Sequence, residues 1–138
     1  MSLKLSKTNV PAYNYLSEGD MSNPATVAIT IDKLGGTKTS SALIIYLVAA
    51  QAGNANIGSY TGITITPSTA QAGITWEISL DGTTWVASIS PSDMDCSAAD
   101  VVTPVHVRIV ADNSAVTPLA TGNYGGEFAI EAVENPPA

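Results

Sequence analysis

The stretch from residue 74 to residue 86 limits what this chain can fold into more than any other part of the sequence. Its first half alternates apolar with polar residues, the apolar ones being Ile74, Trp76, Ile78 and Leu80. That period of two is typical of a strand with one buried face. Asp81-Gly82 follows and supplies the positive φ that a tight turn requires. The pattern therefore predicts a β-hairpin with one tryptophan on each arm.

The two tryptophans of this hairpin have different predicted surroundings. Trp76 lies on the apolar face of its strand, where a large indole buries much area, so we expect it in the core. Trp85 stands between Thr84 and Val86, and the pattern leaves its face undecided. We therefore treat Trp85 as a candidate exposed aromatic residue that a ligand or partner would contact.

Further segments with a strand pattern are spread along the chain. They are residues 26–32, 42–49, 62–66, 104–111 and 127–133. Together with the two hairpin arms they make about seven strands, which is typical of an all-β antiparallel sandwich or barrel. Segment 42–49 is apolar on both faces, so we expect a central strand whose second face is covered by the amino-terminal segment or by another subunit.

The length of 138 residues suits a single domain with a hydrophobic core. The sequence divides into an extended N-terminal arm at 1–24, a β-domain at 25–134 and a C-terminal tail at 135–138. The arm lacks sustained periodicity, except that 14–16 would suit a short edge strand. The tail carries two prolines, which cannot pair in a sheet. Long polar loops are expected at 51–60 and 112–126.

Charge is scarce and unevenly placed. Charged residues make up 12% of the chain and hydrophobic ones 45%, which favours a surface partly covered by a partner. The net charge is −7, yet all four lysines lie in the first 38 residues. An acidic body argues against nucleic acid as a partner, because phosphate binding needs clustered Lys and Arg.

The amino-terminal segment is the best candidate for partner binding. Its candidate contact residues are Lys4, Lys7, Tyr13, Tyr15 and Leu16. The lysines would suit an acidic protein surface. The alternative is that scattered lysines merely solvate a flexible end.

The sequence shows no export signal, so we expect synthesis in a cytoplasm. No apolar run follows the amino-terminal charges, so we expect no secretory signal peptide. The longest apolar run, 42–50, has nine residues, far short of the ~20 that a membrane helix needs. The single cysteine, Cys96, excludes an intrachain disulfide. No membrane partner is expected.

Catalytic chemistry finds little support in the sequence. His106 is the only histidine and sits in the middle of a predicted strand, with no nucleophile elbow near it. Cys96 and His106 together cannot supply the soft ligands of a zinc site. An inert thiol and a surface histidine are the expected roles, and we predict that the protein is not an enzyme.

Clustered carboxylates and glycine pairs are further candidate ligand sites. Asp93, Asp95 and Asp100 are the best candidates for calcium, but the glycine and the closing glutamate of a calcium loop are missing. A solvated acidic loop that caps a helical turn is favoured. The glycine pairs 35–36 and 125–126 lack a phosphate-binding pattern and are expected in turns. No metal or cofactor is predicted.

The hairpin and the strand after it resemble a known kind of domain. Residues 74–85, with a tryptophan, a serine, Asp-Gly and a second tryptophan, are followed by Val105-His-Val-Arg-Ile-Val-Ala-Asp112. This arrangement resembles immunoglobulin-like modules of tailed-bacteriophage structural proteins. The resemblance implies an antiparallel Ig-like β-sandwich of about seven strands over 25–134. The chain has no cysteine pair and no Tyr-x-Cys corner of true immunoglobulin domains.

Small, acidic, Ala/Ser/Thr-rich proteins of this kind are similar to phage capsid decoration (cement) proteins and to head or tail accessory proteins. The resemblance implies a non-enzymatic virion protein that binds the outer surface of a phage head and stabilises it. It also implies the major capsid protein as partner and a homo-oligomer, either a trimer or a dimer. The alternative function is a carbohydrate-binding or cell-surface-binding module, as in receptor-binding or adhesin-like domains.

Overall fold

The computed structural model describes residues 3–16, 25–31, 38–51, 57–68, 73–111 and 122–136. Nine β-strands lie within these ranges: β1 Leu3–Ser6, β2 Ala25–Ile31, β3 Lys38–Thr39, β4 Leu43–Ala49, β5 Ser59–Ser68, β6 Ile74–Ser79, β7 Met94–Asp95, β8 Val101–Ala111 and β9 Gly122–Asn135. Seven of these strands have four residues or more. The described part of the chain contains no helix with the length and apolar character that crossing a membrane requires.

The strands form two sheets in which every pairing is antiparallel. In the five-stranded sheet, hereafter the β1 sheet, the order is β1-β4-β8-β3, and β6 also pairs with β8. Because His106 and Val107 pair with both β4 and β6, these two strands flank β8 on opposite sides. The four-stranded β9 sheet has the order β2-β9-β5-β7. The predicted all-β antiparallel sandwich is confirmed.

The core lies between the two sheets and follows the period of two. On β8, Val105, Val107 and Ile109 are fully buried, while the residues between them face outward. Trp76 on β6 is only 4% exposed, as predicted from the sequence. Its ring meets Phe128 of β9 edge to face, with centroids 5.3 Å apart. This contact links the two sheets directly.

The predicted hairpin is wrong in its second arm. β6 ends at Ser79, and Leu80 is exposed instead of buried. The Asp81 carboxylate accepts hydrogen bonds from the backbone N–H groups of Thr83 and Thr84, so the chain makes a polar turn in place of a second strand. It then meets β6 at one bridge only, between Val86 and Ile78.

Beyond this turn, the chain closes one side of the sandwich. Val86 exchanges two backbone hydrogen bonds with Ile78 of the β1 sheet, and Ile89 exchanges two with Ile65 of the β9 sheet. The segment between β6 and β7 therefore bridges the edges of both sheets. Closing an edge in this way protects it against pairing with another chain.

The amino-terminal segment also departs from its prediction. Leu3 and Leu5 are fully buried, and β1 pairs with β4 as part of the sheet. Tyr15 then returns to Ser6, so residues 14–16, where a short edge strand was expected, meet β1 at one isolated β-bridge. Residues 3–16 thus belong to the sandwich and not to an extended arm, and 17–24 lie outside the described residues. Leu-Lys-Leu-Ser is a single period of alternation, too short to stand out in the sequence.

Several predicted boundaries shift. β5 already begins at Ser59 and β9 at Gly122, inside the expected loops 51–60 and 112–126; residues 52–56 and 112–121 lie outside the described part. Asn135 still pairs with Ser59, so the tail begins one residue later than expected. We expected residues 42–49 to be buried on both faces. This is true of β4 near Val48, whereas Leu43 at its start is exposed.

Gly126 lies in β9, opposite Val27, and not in a turn as expected; the pair at 35–36 lies outside the described residues. A Cβ at this position would overlap the indole of Trp76. Glycine is therefore required because the ring of Trp76 takes up the space of a side chain.

We expect Gly126→Ala to lower the free energy of unfolding by about 1–3 kcal/mol, because overpacking forces the indole out of its position. In a Trp76→Phe background the smaller ring leaves room, and the cost of Gly126→Ala should fall to roughly half or less. Urea denaturation of the four proteins of this double-mutant cycle measures both costs. Equal costs in the two backgrounds would contradict the assigned contact.

Candidate interaction face

The outer face of the β1 sheet gathers aromatic side chains that do not enter the core. The chain has eight aromatic residues, five Tyr, two Trp and one Phe. Four of them lie on or over this face, namely Tyr13, Tyr15, Tyr46 and Trp85. We call the surface made by these four residues and by Lys4, Ile44, Pro104, His106 and Arg108 the aromatic face.

Strand register builds the aromatic face in rows. Directly opposed residues of antiparallel strands share a face. Tyr46 therefore stands beside Pro104, and Ile44 beside His106. Tyr15 extends the Tyr46 row because it bridges Ser6, the partner of Tyr46 in β1.

One corner of the face is held by the amino-terminal segment. The Tyr13 hydroxyl donates a hydrogen bond of 2.8 Å to Asp100, and the backbone N–H of Gln51 donates one of 2.7 Å to the other oxygen of the same carboxylate. The Tyr13 and Tyr15 rings are 5.7 Å apart, and the Lys4 ammonium lies 4.8 Å from the Tyr15 centroid. These contacts fix the segment on the sheet.

Electrostatics at this corner keep Tyr13 protonated. Burial, the hydrogen bond to Asp100 and the charge of that carboxylate raise the pKa of Tyr13 to about 12. Burial and the charge of Asp100 also raise the pKa of Tyr15. Tyr13 therefore acts as a hydrogen-bond donor throughout the physiological pH range.

The opposite corner is built around Arg108. Register places Arg108 opposite Glu77, and its Nε donates a 2.7 Å hydrogen bond to the Glu77 carboxylate. The indole of Trp85 stacks on the guanidinium, which lies 4.2 Å from the ring centroid. Trp85 is thus half-buried over the sheet and is not in the core. Gly82, with φ of 79°, packs on His106.

Between the two corners the face is mostly apolar. Ile44 is 43% exposed, and Pro104 is also exposed, while Tyr46 and His106 are half-buried. Exposed apolar groups next to aromatic rings and one arginine resemble the composition of protein interface centres. This arrangement can make a contact surface.

Lys7 and Leu16, the other predicted partner residues, are not among the residues that make the aromatic face. Lys7 is exposed on the loop that follows β1. Leu16 packs against the core, and its backbone N–H donates to Leu5. Partner binding by Lys4, Tyr13 and Tyr15 remains a prediction, now with a common location.

The candidate catalytic residues and metal ligands do not form a common site within the described residues. Cys96 is buried, and burial raises the pKa of its thiol, which disfavours the reactive thiolate. Asp95 accepts hydrogen bonds from Ser97 in a polar turn, where a helix cap was expected, and Asp100 is bound to Tyr13. Within the described ranges no three His, Cys, Asp or Glu side chains gather as metal ligands.

A shallow cavity of about 350 Å³ lies at the side of the sandwich, beyond the β6 turn. Leu80, Val86 and Ile89 line it, with Asp81 at the rim. Backbone hydrogen bonds from Thr84 and Thr83 hold the pKa of Asp81 well below its usual range.

No protein-family model matches the sequence, and a search of curated proteins found no match.

We expect Tyr13→Phe to lower the free energy of unfolding by about 1 kcal/mol at pH 7, because it removes the hydrogen bond to Asp100. The folded-state pKa of about 12 lies above the usual value of 10.0, so the contribution is complete below pH 10. It is lost as the pH rises from 10 towards 12, since the unfolded state ionises first.

Urea denaturation of both proteins at several pH values between 7 and 12 measures this difference. All other residues are the same in both proteins, so their contributions cancel in the comparison. A difference that stays constant across this range would show that the Tyr13 hydroxyl makes no such bond.

Proposed function

We propose that this chain is a non-enzymatic virion structural protein, a decoration protein that binds the outer surface of a phage head and stabilises it. The observation that carries the proposal is the aromatic face. Tyrosine, tryptophan and arginine dominate the energetics of protein interfaces, and here they lie on one sheet face with exposed Ile44 and Pro104. The major capsid protein is the partner we propose for it.

The other sheet supports an orientation for this binding. Glu127 and Glu131 project from the outer face of β9, beside Thr64 and Ser68 of β5. Carboxylates and hydroxyls are well hydrated, and the negative charge of the carboxylates repels other acidic particles. We propose that the aromatic face lies on the shell and that the acidic face points away from it.

The proposed kind of module and its oligomeric state rest on the resemblance of residues 74–85 and 105–112 to phage Ig-like modules. The two antiparallel sheets are compatible with that architecture. The same resemblance supports a trimer or dimer on the shell and synthesis in the host cytoplasm before incorporation into the virion.

The alternative proposal, a carbohydrate-binding or cell-surface-binding module, is favoured by one observation. Trp85 is half-buried, with Arg108 and Glu77 next to it, and an indole beside polar groups suits a sugar ring. Arg108 already stacks on this indole, so only the uncovered part of the ring would remain for a sugar.

A glycan array separates this alternative from the first proposal. If the protein is a sugar-binding module, wild type should bind defined glycans and Trp85→Ala should reduce that binding at least about tenfold, because stacking supplies much of the contact. The decoration proposal expects no glycan binding by either protein.

Shell binding is best tested by substitution, because deletion of residues 1–20 would remove the core residues Leu3 and Leu5. We expect Ile44→Asp to weaken binding at least about tenfold, as a charge is forced into the apolar centre of the interface. Val133→Asp is the matched control, since Val133 is 58% exposed on the β9 sheet and lies outside the aromatic face.

Co-sedimentation with heads that lack this protein measures occupancy, and thermal unfolding confirms that both variants are folded. If folded Ile44→Asp occupied the heads as fully as wild type, the aromatic face would not be the interface. Absence of the protein from purified virions, as judged by mass spectrometry, would overturn the decoration function itself.

A further inference from the structure

Arg108 is held in place before any partner binds. Its Nε donates a hydrogen bond of 2.7 Å to Glu77, and its guanidinium carbon lies over the indole of Trp85, 4.2 Å from the ring centroid. Two restraints of different kind, a hydrogen bond and a cation–π contact, therefore hold the group. An arginine that is already ordered loses less conformational entropy when a ligand binds.

The terminal nitrogens of this guanidinium make no hydrogen bond to the described residues. Within the described part of the chain, neither Nη1 nor Nη2 of Arg108 donates a hydrogen bond, although the side chain is 28% exposed. Two parallel N–H donors in one plane match the two oxygens of a carboxylate. His106 lies two residues away on the same face of β8, about 7 Å along the strand, and offers a further ring donor.

From this geometry we propose that Arg108 is the anchor for an aspartate or glutamate side chain of the partner protein. The proposal rests on the function proposed above and names the chemistry that the shell must present. A protein carboxylate is favoured over a sugar acid because the exposed Ile44, which pairs with His106 and is a diagonal neighbour of Arg108, offers an apolar contact beside the site.

The net charge of the chain determines the range over which Arg108 can attract a carboxylate. The chain carries −7 overall, so long-range attraction does not bring a carboxylate to it. Glu77 also neutralises part of the local positive charge. Recognition therefore depends on the short-range fork of two N–H groups, and lysine cannot replace it because an ammonium lacks that fork.

Arg108→Lys is the test, because it keeps the charge and removes the fork. We expect it to bind shells at least about tenfold more weakly than wild type. Converting the shell carboxylates to amides with carbodiimide and glycinamide should weaken wild-type binding by a similar factor and leave the residual binding of Arg108→Lys nearly unchanged. Equal shell binding by wild type and folded Arg108→Lys would overturn the proposal.

Acetate titration tests the anchor without a shell. The indole N–H resonance of Trp85 should shift saturably with acetate in wild type and at least about fivefold less in Arg108→Lys. If wild type does not bind shells, the decoration function fails, yet a saturable acetate shift still supports the carboxylate site. No difference between the two proteins in acetate would overturn it.

A last set of titrations uses sugar acids. Sialyllactose and galacturonate are titrated in the same way as acetate. The protein-carboxylate proposal expects them to bind no more tightly than acetate. Binding at least about tenfold tighter than acetate, lost in Arg108→Lys, would overturn a protein carboxylate in favour of a sugar acid.

Discussion

The packing of Trp76 between the two sheets is the contact on which the rest of the structure depends. The indole meets Phe128 edge to face and fills the space left by Gly126, so it sets the distance between β6 and β9. Its Nε1 finds no acceptor within the described residues, and a buried N–H without a partner costs about 1–3 kcal/mol. Packing of the ring must therefore outweigh that cost. Because successive strand residues alternate, fixing Trp76 inward also turns Glu77 outward, opposite Arg108.

The parts of the fold that sequence predicts well are those where alternation runs for several residues. β6, β8 and the core position of Trp76 follow from periodicity alone, as burial of one face leaves no other arrangement. β1 is too short for its pattern to be distinguished from chance. Glycine pairs are common in turns, so the sequence predicts a turn at Gly126. The structure instead requires glycine there because the indole of Trp76, which is distant in sequence, occupies the space of a side chain.

The candidate site was predictable in composition but not in place. Residue type alone indicates Tyr13, Tyr15, Lys4 and Trp85 as contact residues. It does not indicate that Tyr13 binds Asp100, which is 87 residues away in the sequence. Trp85 finds Arg108 only because β6 and β8 pair in one register. Such contacts depend on non-local strand pairing, which local patterns do not encode. The turn at Asp81 shows the converse, since local hydrogen bonds there overrode the expected second strand.

The two corners explain why a sheet face can serve as a binding surface. At one corner Tyr13 ties the amino-terminal segment to Asp100, and at the other Trp85 and Glu77 hold Arg108. The centre, with Ile44 on β4, belongs to the rigid sheet itself. A partner that docks there orders few additional side chains, so most of the contact free energy is retained as affinity. Rigidity of the aromatic face thus follows from the same strand register that buries the core.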